Sequence, residues 1–176
     1  NRQIIIRDGI ISAIEPAQTS YDDKSATIID GEGGFITPGL IDMHVHVYDK
    51  SALELSLSHG VTHVRIMNGV PQHLDWREEL EAGHWLASDM TVSSPIIRSG
   101  DSQPLSWTAD TEQQARKFVQ QAKKQGYDLI KAYGNLNKAS LEALLNTATE
   151  VGIPVAKHGP HGSSDMPVAR LTGLQS

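Results

Sequence analysis

The sequence predicts an α/β protein in which a parallel sheet of repeated βα units follows a small antiparallel β unit. Three observations carry this. Helix-like segments reach a glycine and hand over to a strand-like run at His59-Gly60, Gln125-Gly126 and Val151-Gly152, the grammar of βα repeats. Before Thr37 no such alternation exists, only short apolar runs between turn residues. The chain has 176 residues, enough for one sizeable core.

The elements follow in order. Ile4-Ile5-Ile6 and Ile10 to Ile14 flank Asp8-Gly9, the pattern of a hairpin with an Asp-Gly turn. Gln18 to Ser25 is polar and reads as a loop. Ala26 to Ile29 reads as another short strand, closed by Gly31, Gly33 and Gly34. From Thr37-Pro38-Gly39 the βα grammar begins. Strands are expected over 40–47, 61–67, 90–97, 128–133 and 153–157, and helices over 51–59, 71–81, 111–125 and 138–151. In the third helix Ala115, Phe118, Val119 and Ala122 form one apolar stripe, with Asp110 or Thr111 as the cap. In the fourth, Leu141, Leu144, Leu145 and Ala148 repeat the stripe behind Asn137, and Pro154 prevents continuation. Ser99 to Trp107 reads as a loop that shapes a substrate pocket, and a fifth helix is expected around Met166 to Leu171. The expected division is 1–38 and 39–176. Five strands leave either an open sheet or the front part of a (β/α)8 barrel, which needs eight strands and about 250 residues.

Composition narrows the chemistry. Hydrophobic residues make up 39% and charged residues 20%, a globular balance. The net charge of −6 and a pI near 5.7 argue against a nucleic-acid backbone or an anionic membrane surface as partner. No apolar run has transmembrane length. Cysteine is absent, so disulfides, thiol nucleophiles and thiolate metal sites are excluded. Any metal must be held by His, carboxylate or a modified side chain, and the chain has eight His. It opens on Asn1 rather than Met, so the natural N-terminus is expected upstream. The compartment is open: a cytoplasmic chain is favoured, and a periplasmic one fits if a signal peptide was removed.

The segment that carries chemistry is Thr37-Pro38-Gly39-Leu40-Ile41-Asp42-Met43-His44-Val45-His46-Val47. Side chains alternate along a strand. Ile41, Met43, Val45 and Val47 share an apolar face suited to packing under helices. Asp42, His44 and His46 share the other, where two imidazoles converge on a point that a metal can take and Asp42 can orient them. The competing reading is a pair of satisfied core histidines. Two His and an Asp on one face of a buried strand are costly without a partner, which favours the metal. Of the remaining histidines, His59 sits at a helix end, His73 and His84 flank a helix and read as solvated, and His63 with Arg65 faces inward in a packing or supporting role.

TPGLIDMHVH behind a small β unit with a DGIISAI pattern resembles the metal-dependent amidohydrolase superfamily, over residues 4 to about 170. The resemblance implies an N-terminal β sandwich before a (β/α)8 barrel, here about its first five units, with the HxH ending the first barrel strand. Asp128 to Tyr133 resembles the fourth barrel strand of members with a carboxylated lysine, which would make Lys131 a bridge between two metals; a surface or stem-burying Lys is the plain alternative. Ile153 to Pro160 resembles the fifth strand, whose terminal His158 would bind the second metal. Lys157 before that His is unusual. The IKAY and AKHGP segments look closest to the imidazolonepropionase-related and Xaa-Pro dipeptidase-like branch.

The implied function is hydrolysis of an amide, cyclic amide or dipeptide C–N bond by a metal-bound hydroxide. The implied ligands are His44, His46, Lys131 and His158, with two zinc ions, or manganese, iron or cobalt in their place. Asp42, Arg65, Tyr133 and His161 are candidates for support or substrate contact, His161 otherwise being a loop residue. The general-base Asp after the eighth strand and a His after the sixth are expected beyond Ser176; Asp49 and Asp165 lie in rim loops but match no motif. The expected partner is a small-molecule substrate, and a homo-oligomer is open. The alternatives are a single-metal deaminase of the same superfamily, with Lys131 unmodified, and a non-catalytic scaffold on the same fold.

Overall fold

The computed structural model describes residues 2–17 and 25–159. The chain divides into two units, Asn1–Pro38 and Gly39–Ser176. In the first, β1 (Arg2–Arg7) pairs antiparallel with β2 (Ile10–Pro16), and a bulge falls between Ile5 and Ile6. Asp8 and Gly9 both take positive φ, as the tight hairpin turn demands. Ala26–Ile29 departs from expectation and forms no strand. Its β-prone residues have no ladder partner among the described residues, and Ile28 and Ile29 stay exposed; β propensity without a partner does not make a strand.

The second unit alternates strands and helices. Its elements are β3 (Leu40–Val45), α1 (Lys50–Ser58), β4 (Val61–Ile66), α2 (Pro71–Glu81), β5 (Asp89–Arg98), β6 (Ser106–Thr108), α3 (Glu112–Gln125), β7 (Leu129–Ala132), α4 (Lys138–Val151) and β8 (Val155–Lys157). All pairings in this unit are parallel, in the order β3-β4-β5-β7-β8, with β6 beside β5. The five main strands form a half-barrel. The region 99–107, read as a loop, contains most of β6, whose Trp107 stacks on Phe118 and meets Tyr127 edge-on.

Local chemistry explains the helices. Asp49 caps α1 by accepting from Ser51 N at 2.8 Å, so this rim aspartate has a structural task. Thr111, not Asp110, caps α3, and its Oγ1 accepts from the Gln114 amide. Asn137 caps α4 by accepting from Ser140 N at 2.9 Å. Gly126 and Gly152 end α3 and α4 at φ 88° and 63°, a left-handed conformation open to glycine at little cost. The apolar stripes meet the sheet: Leu53, Val64, Ile66, Val92, Val119 and Leu144 are fully buried in one cluster, each worth about 1.5–3 kcal/mol of burial. Among the described residues no helix is long and apolar enough to cross a membrane.

One ion pair links this frame to the fourth main strand. Arg77 on α2 donates from Nη1 to Asp128 Oδ2 at 2.6 Å and from Nη2 to Gly126 O at 2.9 Å. The same carboxylate oxygen accepts from Val92 N at 2.7 Å. Asp128 therefore pins the entry of β7 to both α2 and β5, which fixes the strand that carries Lys131.

Candidate active site

β3 brings His44 and His46 together. Their Nε2 atoms stand 3.3 Å apart and their rings meet edge-on at 5.2 Å between centroids. Asp42 works one step back, where its Oδ1 accepts from the His44 backbone N–H at 3.0 Å and fixes the strand end rather than a ring. The expectation of a buried strand fails here. β3 pairs only with β4 among the described residues, so Leu40, Ile41 and Met43 remain exposed, and only Val47 of the expected apolar face is buried. Both imidazoles reach solvent. Burial nevertheless lowers their pKa values below 6.5, and the positive charge of Lys131 lowers both further.

Lys131 on β7 is among the largest fully buried side chains. Its backbone N donates to Ser94 Oγ at 3.1 Å. Burial, and then the charge of Arg65, lower its pKa to about 8. Arg65 on β4 is itself 3% exposed. Its Nε donates to Met43 O at 2.7 Å, while its buried Nη1 has no hydrogen-bond partner among the described residues. The inward placement expected of Arg65 thus holds. His63 is half-buried and reaches Thr91 Oγ1 at 2.8 Å and Asp89 at 3.6 Å, in keeping with the packing role expected of it.

His158 follows β8 directly, and its backbone N donates to Ala132 O at 3.0 Å. Its ring lies 5.0 Å from that of Tyr133, tilted by 30°, and its charge contributes to lowering the His44 pKa. Lys157 is buried and its Nζ donates to His158 O at 3.2 Å. His161 and Asp165 lie outside the described residues, as does the helix expected at 166–171.

Two residues carry roles that sequence reading missed. His73 is not solvated but fully buried. Its Nδ1 accepts from Val70 N at 3.1 Å, its Nε2 donates to Val47 O at 2.6 Å, and it packs on Tyr48 and Trp76. A helix N-terminal position does not reveal such partners. Arg98 ends β5 with its guanidinium carbon 5.7 Å from the Tyr133 ring centroid. An arginine closing the apolar run Pro95-Ile96-Ile97 was the available signal.

The donors suit a metal group. Among the described residues no three His, Asp or Glu side chains gather as a metal cluster. The grouping is two imidazoles facing one point and a buried amine, and a lysine becomes an anionic ligand only after it carries a carboxylate. The orphaned Arg65 Nη1 is a donor suited to such an anion. The two imidazoles, the lysine and His158 fit nitrogen- and oxygen-seeking divalent cations.

Comparison with known proteins agrees with the resemblance. No protein-family profile matches the chain. An enamidase of Eubacterium barkeri is 50% identical over 44 residues, 25% of this chain and 11% of that protein. An adenine deaminase of Clostridium perfringens (strain ATCC 13124) is 24% identical over 167 residues, 80% of this chain and 27% of that protein. Among solved structures, bottromycin amidohydrolase superposes with a TM-score of 0.74 at 26% identity, over 91% of this chain and 35% of that one. The chain thus spans about a tenth to a third of these relatives. Their names and the shared fold are consistent with the amidohydrolase superfamily, as the Thr37–Val47 motif implies.

Proposed function

We propose that this chain supplies the first half of a metal-dependent hydrolase site that acts on a C–N bond of a small molecule. The observation that carries the reading is the His44/His46 Nε2 pair within the electrostatic reach of a fully buried Lys131. His44 and His46 would hold one cation, His158 would help hold a second, and Lys131, as its carbamate, would bridge them. A pair of divalent cations supplies Lewis acidity and lowers the pKa of a bound water; zinc is the default for such donors, with manganese, iron or cobalt as substitutes.

The chain's own residues prepare this site. Burial beside Arg65 favours the neutral amine of Lys131. Its nitrogen lone pair adds to the carbon of CO2, one C–O π bond opens, and the displaced N–H proton leaves to solvent. The product is a carbamate anion beside the Arg65 cation, which replaces the repulsion between a protonated Lys131 and Arg65 with attraction. Asp42 holds the backbone of His44, and Tyr133 packs on His158. The proposed division of the chain is a β unit over 1–38 and barrel units over 39–176.

A second reading is deamination, which the name of the adenine deaminase matched over 80% of the chain supports; it would use one metal and an unmodified Lys131. Metal stoichiometry separates the two. The full-length protein, loaded with zinc in bicarbonate, should hold two equivalents by elemental analysis and hydrolyse amides or dipeptides. One equivalent with release of ammonia would favour the deaminase. Metal loading without turnover on either class would indicate a scaffold.

A further inference from the structure

Arg98 closes β5 at the C-terminal end of the parallel sheet, where His158 follows β8. Active sites of barrels of this kind gather at that end. The backbone around Arg98 is held. Its carbonyl accepts from Ala109 N at 2.7 Å. The next residue, Ser99, is buried: its Oγ donates to Ala109 O and accepts from Asn137 N, and its carbonyl accepts from Asn135 Nδ2. The side chain is positioned as well, with the guanidinium carbon 5.7 Å from the Tyr133 centroid and that ring 5.0 Å from the His158 ring. Its Nε is buried and has no hydrogen-bond partner among the described residues. A donor kept from water and left unpaired costs free energy unless a ligand takes it up. The surroundings bring more positive charge: Arg65 on β4 and Lys131 on β7 are buried on the strands flanking β5, and Lys157 is buried on β8, one strand further.

We propose that Arg98, seated on Tyr133 beside His158, is a specificity residue that receives a carboxylate of the substrate next to the scissile C–N bond. Stacking on one aromatic face leaves the planar fork of the guanidinium to meet a planar, two-oxygen anion. A phosphate, with three oxygens to satisfy, would call for further donors. The inference rests on the hydrolase reading above and names its substrate class: amides or dipeptides bearing a free carboxylate.

The test uses the full-length, metal-loaded protein and a panel of N-acylated amino acids, each as free carboxylate and as primary carboxamide. Wild type should prefer the carboxylates by about tenfold or more in kcat/KM, the range of one charge-assisted contact. R98M should bring that ratio toward one through KM, with metal content at the wild-type value, and R98K should keep part of the preference. An unchanged ratio overturns the proposal. So does an equal loss on both substrate forms, or a fall in metal content, because Arg98 would then merely support Tyr133 and His158. If wild type hydrolyses neither form, the hydrolase reading fails and calorimetric binding of the carboxylate panel decides the subsite by itself. Binding weakened about tenfold in R98M, and retained in part by R98K, supports the subsite; binding equal in wild type and R98M overturns it.

Discussion

A lysine with 1% of its surface exposed, beside a buried arginine, would leave two like charges in a medium that disfavours either. The proposed carboxylation would resolve this, and it makes a direct prediction. Lys131→Ala should lose most metal and most turnover, and a short carboxylic acid added to it should restore part of both; unchanged metal content by elemental analysis would make Lys131 structural. His73 gives a second prediction, in pH. Its pKa is lowered from 6.5, by burial above all, while its bond to Val47 O acts the other way. The folded state thus binds fewer protons than the unfolded state below pH 6.5, so the stability it contributes is complete above that value and is lost as pH falls through it toward the folded pKa. His44 and His46 have lowered values too and add in the same direction. Urea unfolding should show a lower midpoint at pH 5.5 than at pH 7.5, and His73→Gln should narrow that gap; equal midpoints for wild type would contradict it. The two residues also mark what sequence can tell. Lys131 was found because a motif placed it on a strand. His73 was misjudged because its partners, Val47 and Trp76, come from chain folding and a neighbouring helical turn, which no local pattern announces.

At the scale of elements, α4 was legible to the residue and α3 to within one, because a 3.6-residue stripe, a cap and a closing glycine agree with one another there; α2 was also legible to the residue, with Pro71 at its first turn in place of a side-chain cap. β6 was not. Three residues behind Pro104 and Leu105 contain no alternation, and they become a strand only because Ile96 to Arg98 offers them a parallel partner. The opposite error occurred at Ala26–Ile29, where propensity found no partner. Register has its own requirement at Gly69, just past β4. A Cβ there would lie 1.8 Å from Ser93 O and 2.9 Å from Val92 Cγ1. Backbone cannot yield as a flexible side chain can, so Gly69→Ala should force β4 and β5 apart at the rim. The expected loss is about 1–3 kcal/mol or more, read from denaturant unfolding, with a weaker preference for carboxylate substrates because the strand end that presents Arg98 shifts. A variant as stable as wild type would show that the crossing at Gly69 is looser than its geometry indicates.

Across the barrel unit, the two outer strands of the main sheet have different surroundings and the same need. β3 has β4 on one side and no partner on the other among the described residues, and Leu40 and Ile41 are 63% and 61% exposed. At the far end β8 pairs with β7 alone among those residues, and Leu145, Ala148, Ile153 and Pro154 line an open apolar hollow beside it. Unpaired edges next to apolar surface are templates for association. Closure of a barrel removes such edges, and the relatives, of which this chain spans 11% to 35%, have the length for it. Residues 1–176 expressed alone should therefore associate with rising concentration, melt with low cooperativity and hydrolyse no amide, while the full-length protein should do neither of the first two and should hydrolyse amides. Light scattering across a concentration series, thermal unfolding and an amide-hydrolysis assay on both proteins would check this. A monomeric 176-residue chain with a sharp melt and full-length activity would mean that β3 and β8 need no further strands, and the barrel reading would fall with it.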